Sequence, residues 1–524
     1  MSTDVVTTEI VRNLFLSAAE DMHATLVRSA FQPLLYENED AAVAILDRNA
    51  DVLGQSSGLP LFLGNLDEAI KETIRRRGGT DWLDEGDVVI LNDPYIQGTH
   101  VNDVTLFAPV HIEGKIVGYV AVRGDVTDVG GKDPGGGTET TEIYQEGLLL
   151  SPVKIHTAHG PNHDIIDIIR RNSRSGELIV GDINAMIASC RIGQRRMLEI
   201  LNRFSIEAVE SARDEIFRQS EESDRDTVSS IPDGVYTGSG FMDNDGIVLG
   251  HPVKIPIKIT VTGDKLTVDL TESPDSTVGP INCGRAQAVA AVRVAYKLLF
   301  AQERSFDGGC FRNVEVLTRP GSVHHAEEPA PCGWYYTTLG LLVDLFISAF
   351  SEVLPERVTA AQFGDSMITY FAGKDLRGTD YLCVEAHAGG WGASNRANGS
   401  DGLINVLNGS FRNTPVEALE SRYPITVTQY SIRQGSGGAG GHRGGNGIVR
   451  SYRFEEATQL FLWLDRSVTP AWGLAGGSAG KAPRVEINGS VQRSDLLKVN
   501  GLWLEAGDEL KVLTGGGGGF GTPL

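Results

Sequence analysis

The chain has 524 residues, 41% of them hydrophobic and 22% charged, enough to bury a large core without disulfides or structural metals. Its formal net charge of −22 excludes nucleic acid and disfavours an anionic membrane surface, because both partners need a basic face. Five widely spaced cysteines without a CxxC argue against a disulfide framework or zinc ribbon, no apolar run is long enough to cross a bilayer, and the acidic N-terminus lacks a signal-peptide core, so the cytoplasm is expected. Residues 6–30 carry Ile10, Leu14, Ala18, Met22 and Leu26 at helical spacing. Ala41–Leu46 is a short apolar run closed by the turn DRNAD, and Leu66–Arg77 is a helix ended by Gly78-Gly79. Val88–Leu91 and Val117–Val122 are buried strands that each run into an acid-bearing loop, and 161–223 is mainly helical.

The pattern changes near Ser229. Gly234–Glu272 alternates with turn signals at Asp243–Gly246 and Thr262–Asp264, an antiparallel meander. Ala286–Phe300 and Leu341–Val353 return to helical periodicity, and from Ser431 short strands alternate with glycine clusters. The expected fold is α+β, with mixed, largely antiparallel sheets, helical layers and a glycine-rich β part at the C-terminus. Three regions are expected: 1–228, 229–430 and 431–524.

Two segments carry ligand chemistry. In Asn92-Asp93-Pro94-Tyr95-Ile96-Gln97-Gly98-Thr99-His100-Val101-Asn102-Asp103, an imidazole and a carboxylate stand three apart on a loop held by Pro94 and Gly98. At that spacing both reach one cation. In Arg123-Gly124-Asp125-Val126-Thr127-Asp128, two more carboxylates end a second strand. If the strands are neighbours the four groups converge, and clustered carboxylates need a cation, a hydrogen-bond shell or raised pKa values. Spacing alone leaves loop capping by aspartate open as the alternative.

The stretch NDPYIQGTHVNDVTLFAPV resembles the signature loop of the hydantoinase B/oxoprolinase family. DVGGKDPGG, EIYQEGLLLSPVKI, NSRSGELIVGDINA, TVGPIN, NTPVEALESRYPI, GSGGAGGHRGGNG, DRSVTPAWGLAGG and GGGGGFGTP follow in the family's order, from about residue 36 to 522. The resemblance implies the catalytic B-type subunit of an ATP-dependent cyclic amidohydrolase, working with a hydantoinase A-type subunit that binds the ATP in a hetero-oligomer. It also implies one divalent metal (zinc, manganese or iron) on His100, Asp103 and Asp125, with aspartate at 125 where the family commonly has histidine. Asp40 is the candidate for an extra ligand or the water-activating base, and Asp128 for a ligand or a group that orients one. The expected reaction is hydrolysis of a hydantoin, N-methylhydantoin, oxoproline or lactam ring. Two rivals are a subunit of an ATP-dependent ketone carboxylase and a non-catalytic scaffold completing the partner's site.

Other candidates are weaker. No GxxxxGK[ST] is present, so the glycine clusters serve positive φ and close backbone packing rather than phosphate binding. His387 and Trp391, in EAHAGGWGAS, are candidate substrate-binding groups, because the adjacent glycines let a ligand approach the backbone. His156, His159 and His163 form a loop cluster without an acidic partner at ligand spacing, and the cysteines are structural thiols.

Overall fold

The computed structural model describes residues 4–491 and 497–523. The strands β1 (Ala41–Asp47), β2 (Val52–Gln55), β3 (Val88–Leu91), β4 (Asp103–Ile112), β5 (Lys115–Asp125), β6 (Val153–Thr157) and β7 (Gly160–Pro161) form one antiparallel sheet in the order β2-β1-β5-β4-β3-β6-β7. Side chains on a strand alternate between faces. Val43, Ile45, Val88, Ile90, Leu106, Val120 and Val122 pack under the helices Val5–Ser29 and Gly176–Phe204. Ala44, Leu46, Val89, Leu91, Phe107, Tyr119 and Ala121 face the opposite way, into a larger core. With both faces covered, β1 is buried throughout and reads as an unbroken apolar run.

That second core draws on all three expected regions, from Ala42 through Trp334 and Tyr335 to Phe520. The meander forms as expected from Gly234–Met242, Val253–Thr262 and Lys265–Asp269. A fourth strand, Val314–Leu317, joins it in parallel after the helix Arg285–Phe300. A third core lies between two antiparallel sheets that carry residues 368–513. The architecture is α+β, as the sequence pattern indicates.

One element departs usefully from its periodicity. The helix expected over Leu341–Val353 runs from Tyr335 to Ala349. Its first turn, Tyr335-Tyr336-Thr337-Thr338, has low helix propensity, and burial of all four side chains overrides it. The shift brings two tyrosines to the end of the first sheet.

Candidate metal centre

The site grows from strand parity. Asp103 begins β4 and Asp125 ends β5, and the two are directly paired across the ladder. Both stand an even number of residues from Phe107 and Ala121, so both face the larger core rather than the helices. Asp40 precedes β1, and its carbonyl accepts from the Asp125 N–H (3.1 Å), which draws a third carboxylate to the same corner. His100 arrives on the loop before β4. That loop contains one helical turn, Pro94–Gln97, capped by the Asp93 side chain and ended by Gly98 at φ 93°. Gly98 is required twice: its φ is left-handed, and a Cβ there would lie 2.6 Å from the Gln287 backbone nitrogen.

The imidazole Nε2 of His100 lies 3.2 Å from Asp103 Oδ1 and 3.6 Å from Asp125 Oδ2. Among the described residues these three form a group able to hold a metal ion, with ligand atoms all within 4.8 Å of one another. Asp40 lines the same cavity. Its Oδ1 and that of Asp125 are buried without a hydrogen-bond partner. Burial, then Asp125 and Asp103, push the Asp40 pKa well above the usual carboxylate range. Burial raises Asp125 to about 6 against the opposing pull of His100. Burial alone would depress the His100 pKa, but Asp103 and Asp125 carry it well above its ordinary value. Orphaned carboxylate oxygens around one imidazole fit a divalent cation, and the oxygen-rich donor set favours a harder one.

A hydrogen-bonded frame holds the ligands. Gln97 Nε2 donates to the Asp103 carbonyl (2.5 Å) and to Thr99 Oγ1 (2.8 Å), while Gln97 Oε1 accepts from Thr105 Oγ1 (2.7 Å). The fully buried Arg123 donates to Thr105 Oγ1 (2.8 Å) and Asn65 Oδ1 (2.5 Å). It shares the face of Asp125, two residues away, and no carboxylate forms an ion pair with it among the described residues. Burial lowers its pKa to about 10 despite the attraction of Asp103. Tyr335 donates to Asp103 Oδ2 (2.8 Å) and fixes the carboxylate orientation. The remaining walls are Leu59, Leu61, Phe62, Tyr336, Ile368, Tyr370, Val384, Ala386, Asn408 and Phe411.

The other candidates stand apart. Asp128 does not join the cluster: it accepts from Arg174 Nη1 (2.7 Å), Arg174 N (2.7 Å) and Ser173 Oγ (3.2 Å). His387 is buried against Thr369 Oγ1 (3.1 Å) and Tyr452, and burial pulls its pKa far down. Trp391 donates Nε1 to the Ile404 carbonyl (2.9 Å) and packs on the third core. His156 contacts Arg191 rather than another histidine. All five cysteines are free thiols. Sequence spacing did not point to the tyrosines or to Arg123. Arg123 left a signal, since its even spacing from Asp125 on one strand puts both on one face. Tyr335 and Tyr336 left none beyond an aromatic pair after Gly333.

A buried imidazole–carboxylate corner on an α+β scaffold, in a sequence without a GxxxxGK[ST] motif, defines a class of protein with a candidate metal centre. Comparison with known proteins narrows this. The profile of the hydantoinase B/oxoprolinase family matches residues 4–523, and the chain belongs to that family. The B-type subunit of a putative D-/L-hydantoinase from a Pseudomonas species (strain NS671) is 28% identical over 542 residues, covering 99% of this chain and 90% of that one. The structure of the ATP-dependent caprolactamase from Pseudomonas jessenii superposes with a TM-score of 0.92 at 26% identity, covering 100% and 92% of the two chains. A nucleotide-free acetone carboxylase structure gives a TM-score of 0.88 at 17% identity, covering 99% and 76%, and shares the fold. The family's enzymes support a hydrolase role for this chain. No described helix is long and apolar enough to cross a membrane.

Proposed function

We propose that this chain opens a cyclic amide, of hydantoin, oxoproline or lactam type, after a hydantoinase A-type partner has activated the ring with ATP. The observation that carries the reading is the buried corner of His100, Asp103, Asp125 and Asp40 with carboxylate oxygens left unpartnered. The hydantoinase and caprolactamase relatives, each a subunit or ATP-dependent by name, point the same way. His100, Asp103 and Asp125 would hold one divalent ion. When bound, it supplies Lewis-acid character and makes water a competent nucleophile near neutral pH.

The side chains divide the remaining work. Tyr335 and Gln97 hold Asp103 in place. Asp40, whose buried Oδ1 has no hydrogen-bond partner and which lines the same cavity, takes the proton that water gives up. The aliphatic and aromatic walls exclude bulk water, which strengthens every charge interaction inside. We assign Asp128 to holding the 173–174 turn through Arg174, and His387 and Trp391 to packing behind the wall. The cavity itself is about 30 Å3 without a ligand, room for an ion and a water. Val384 lines both this cavity and a neighbouring cleft of about 520 Å3, and the ring would reach the corner from that cleft by displacing the Val384 side chain.

The test is His100→Ala in the complex with the A-type partner. Metal content should fall from about one ion per chain to near none, and ATP-dependent ring opening should drop on the order of a thousandfold, several kcal/mol of lost transition-state stabilisation. Full metal with full turnover would sink the assignment.

A further inference from the structure

Tyr336 is a cavity residue whose hydroxyl has no task in the mechanism above. It lies beside Tyr335 in the first turn of the helix Tyr335–Ala349 and is 7% exposed. Its neighbour spends its hydroxyl on Asp103. Tyr336 Oη has no hydrogen-bond partner among the described residues, although it is buried. Apart from carboxylate oxygens, it is the one buried side-chain polar atom of the cavity lining left in that state among the described residues. Buried hydroxyls are normally paired, because an unmade hydrogen bond is costly.

The ring is not free to turn elsewhere. Tyr335 packs against it at 5.4 Å in a T-shape, Trp334 at 5.6 Å, and His100 meets its edge at 6.4 Å and 87°. Trp334 is in turn stacked on Trp463 (4.9 Å, 12°), and Lys498 Nζ sits 4.1 Å from the centroid of that second indole. A clamped ring with an unused hydroxyl beside a candidate metal corner is a preorganised donor waiting for an acceptor.

We infer that the Tyr336 hydroxyl donates a hydrogen bond to the ring nitrogen of the O-activated cyclic amide. The inference rests on the proposed function. It follows from the chemistry of activation. A cyclic amide unsubstituted at nitrogen presents an N–H, whereas transfer of the terminal phosphoryl group of ATP to the oxygen, with ADP leaving and the N–H proton lost to water, moves the double bond to C=N and leaves a nitrogen with an in-plane lone pair. A fixed donor at the cavity wall therefore favours the activated ring over its parent, and keeps the carbon aligned toward the metal corner. Tyr336 is thus a catalytic residue that contacts substrate, distinct from Tyr335, which acts through Asp103.

The experiment is Tyr336→Phe in the metal-loaded complex with its A-type partner, read by metal content, thermal midpoint, product and ATP consumed. Metal content should stay the same and the thermal midpoint should not fall, because the hydroxyl has no partner to lose. Ring opening should drop about 100-fold in kcat, the size seen when one preorganised donor is removed. The KM for the parent ring should move little, and the ratio of ATP consumed to ring opened should rise. Unchanged turnover overturns the inference. So does loss of activity accompanied by loss of metal or of the folded state, which would make Tyr336 structural. A wild-type complex that opens no ring with ATP overturns the underlying reading, and this inference with it.

Discussion

The acid corner and the glycine-rich C-terminal bundle are built on opposite rules. At the corner, side chains converge and are left unsatisfied: three carboxylates, an imidazole and a tyrosine hydroxyl share one small cavity. In the bundle side chains are absent and most of the backbone is paired. Gly515–Gly519 forms no ladder, yet Gly516, Gly517, Gly518 and Gly519 donate to Lys481, Gly445, Ala361 and Ser478. The carbonyls of Gly515, Gly517, Gly518 and Gly519 accept from Gly390, Gly438, Ala393 and Leu474. None of these five glycines has a positive φ. What requires glycine is closeness: a Cβ at Gly517 would lie 2.1 Å from the Trp391 carbonyl oxygen. Unmet buried side-chain groups mark a place made for a ligand, whereas dense backbone pairing marks a place that holds the fold together.

That contrast can be broken at either pole. The largest effect expected is from Gly517→Ala, where the added Cβ would overlap the Trp391–Gly392 peptide and cannot be relieved by a rotamer change. It should cost about 4 kcal/mol or more, or prevent soluble expression, measured by denaturant unfolding. Tolerance of the alanine would show that the bundle is looser than its hydrogen bonds imply.

At the other pole, Tyr335→Phe removes the hydrogen bond to Asp103 while keeping the ring. Metal affinity should fall about 10- to 100-fold, measured by competition with a chelator. Next comes pH. The Asp125 pKa is raised to about 6, so the folded metal-free protein holds that proton more tightly than the unfolded chain does. Its contribution to stability is therefore present below the ordinary carboxylate range and is lost as pH rises through about 6. A bound cation reverses the sign, since it competes with the proton. Affinity should fall by about tenfold per unit as pH drops below 6 for each proton displaced, and calorimetry in buffers of different ionisation enthalpy would count those protons. The smallest effect is expected from Asp128→Ala, which frees Arg174 and Ser173 but leaves the corner alone. About 1–2 kcal/mol of stability should go, with metal content unchanged. Loss of metal from that variant would return Asp128 to the site.

Much of this was legible in the sequence, for a physical reason. Asp103 and Asp125 sit at strand ends, where alternation fixes the face and one ladder pairing joins them, and His100 stands three residues before Asp103 on the loop that leads into β4. Asp128 shares their sequence neighbourhood but lies beyond the end of β5, where alternation no longer fixes its direction, and Arg174 claims it. Tyr335 reaches Asp103 across 232 residues of chain, so no local pattern could announce it. His387 and Trp391 looked accessible because glycines flank them. Those glycines instead admit other backbone: a Cβ at Gly390 would lie 2.0 Å from the Gly445 carbonyl, and one at Gly392 1.7 Å from that of Ala360. The same property of glycine, room near the main chain, serves a ligand in one fold and a neighbouring strand in another.

The bundle also dictates a schedule. Phe520 belongs to the core that contains Ala42, Ala44 and Leu91, and the glycines just before it thread among segments spanning residues 361–481. During synthesis the N-terminal sheet and its helices emerge first, and the part of the core that Phe520 covers can close only after residues 515–520 have been made. Contacts of such long sequence separation form slowly, and the half-closed chain exposes apolar surface while it waits. These glycines act as a latch that is thrown only once every segment they thread between has been made.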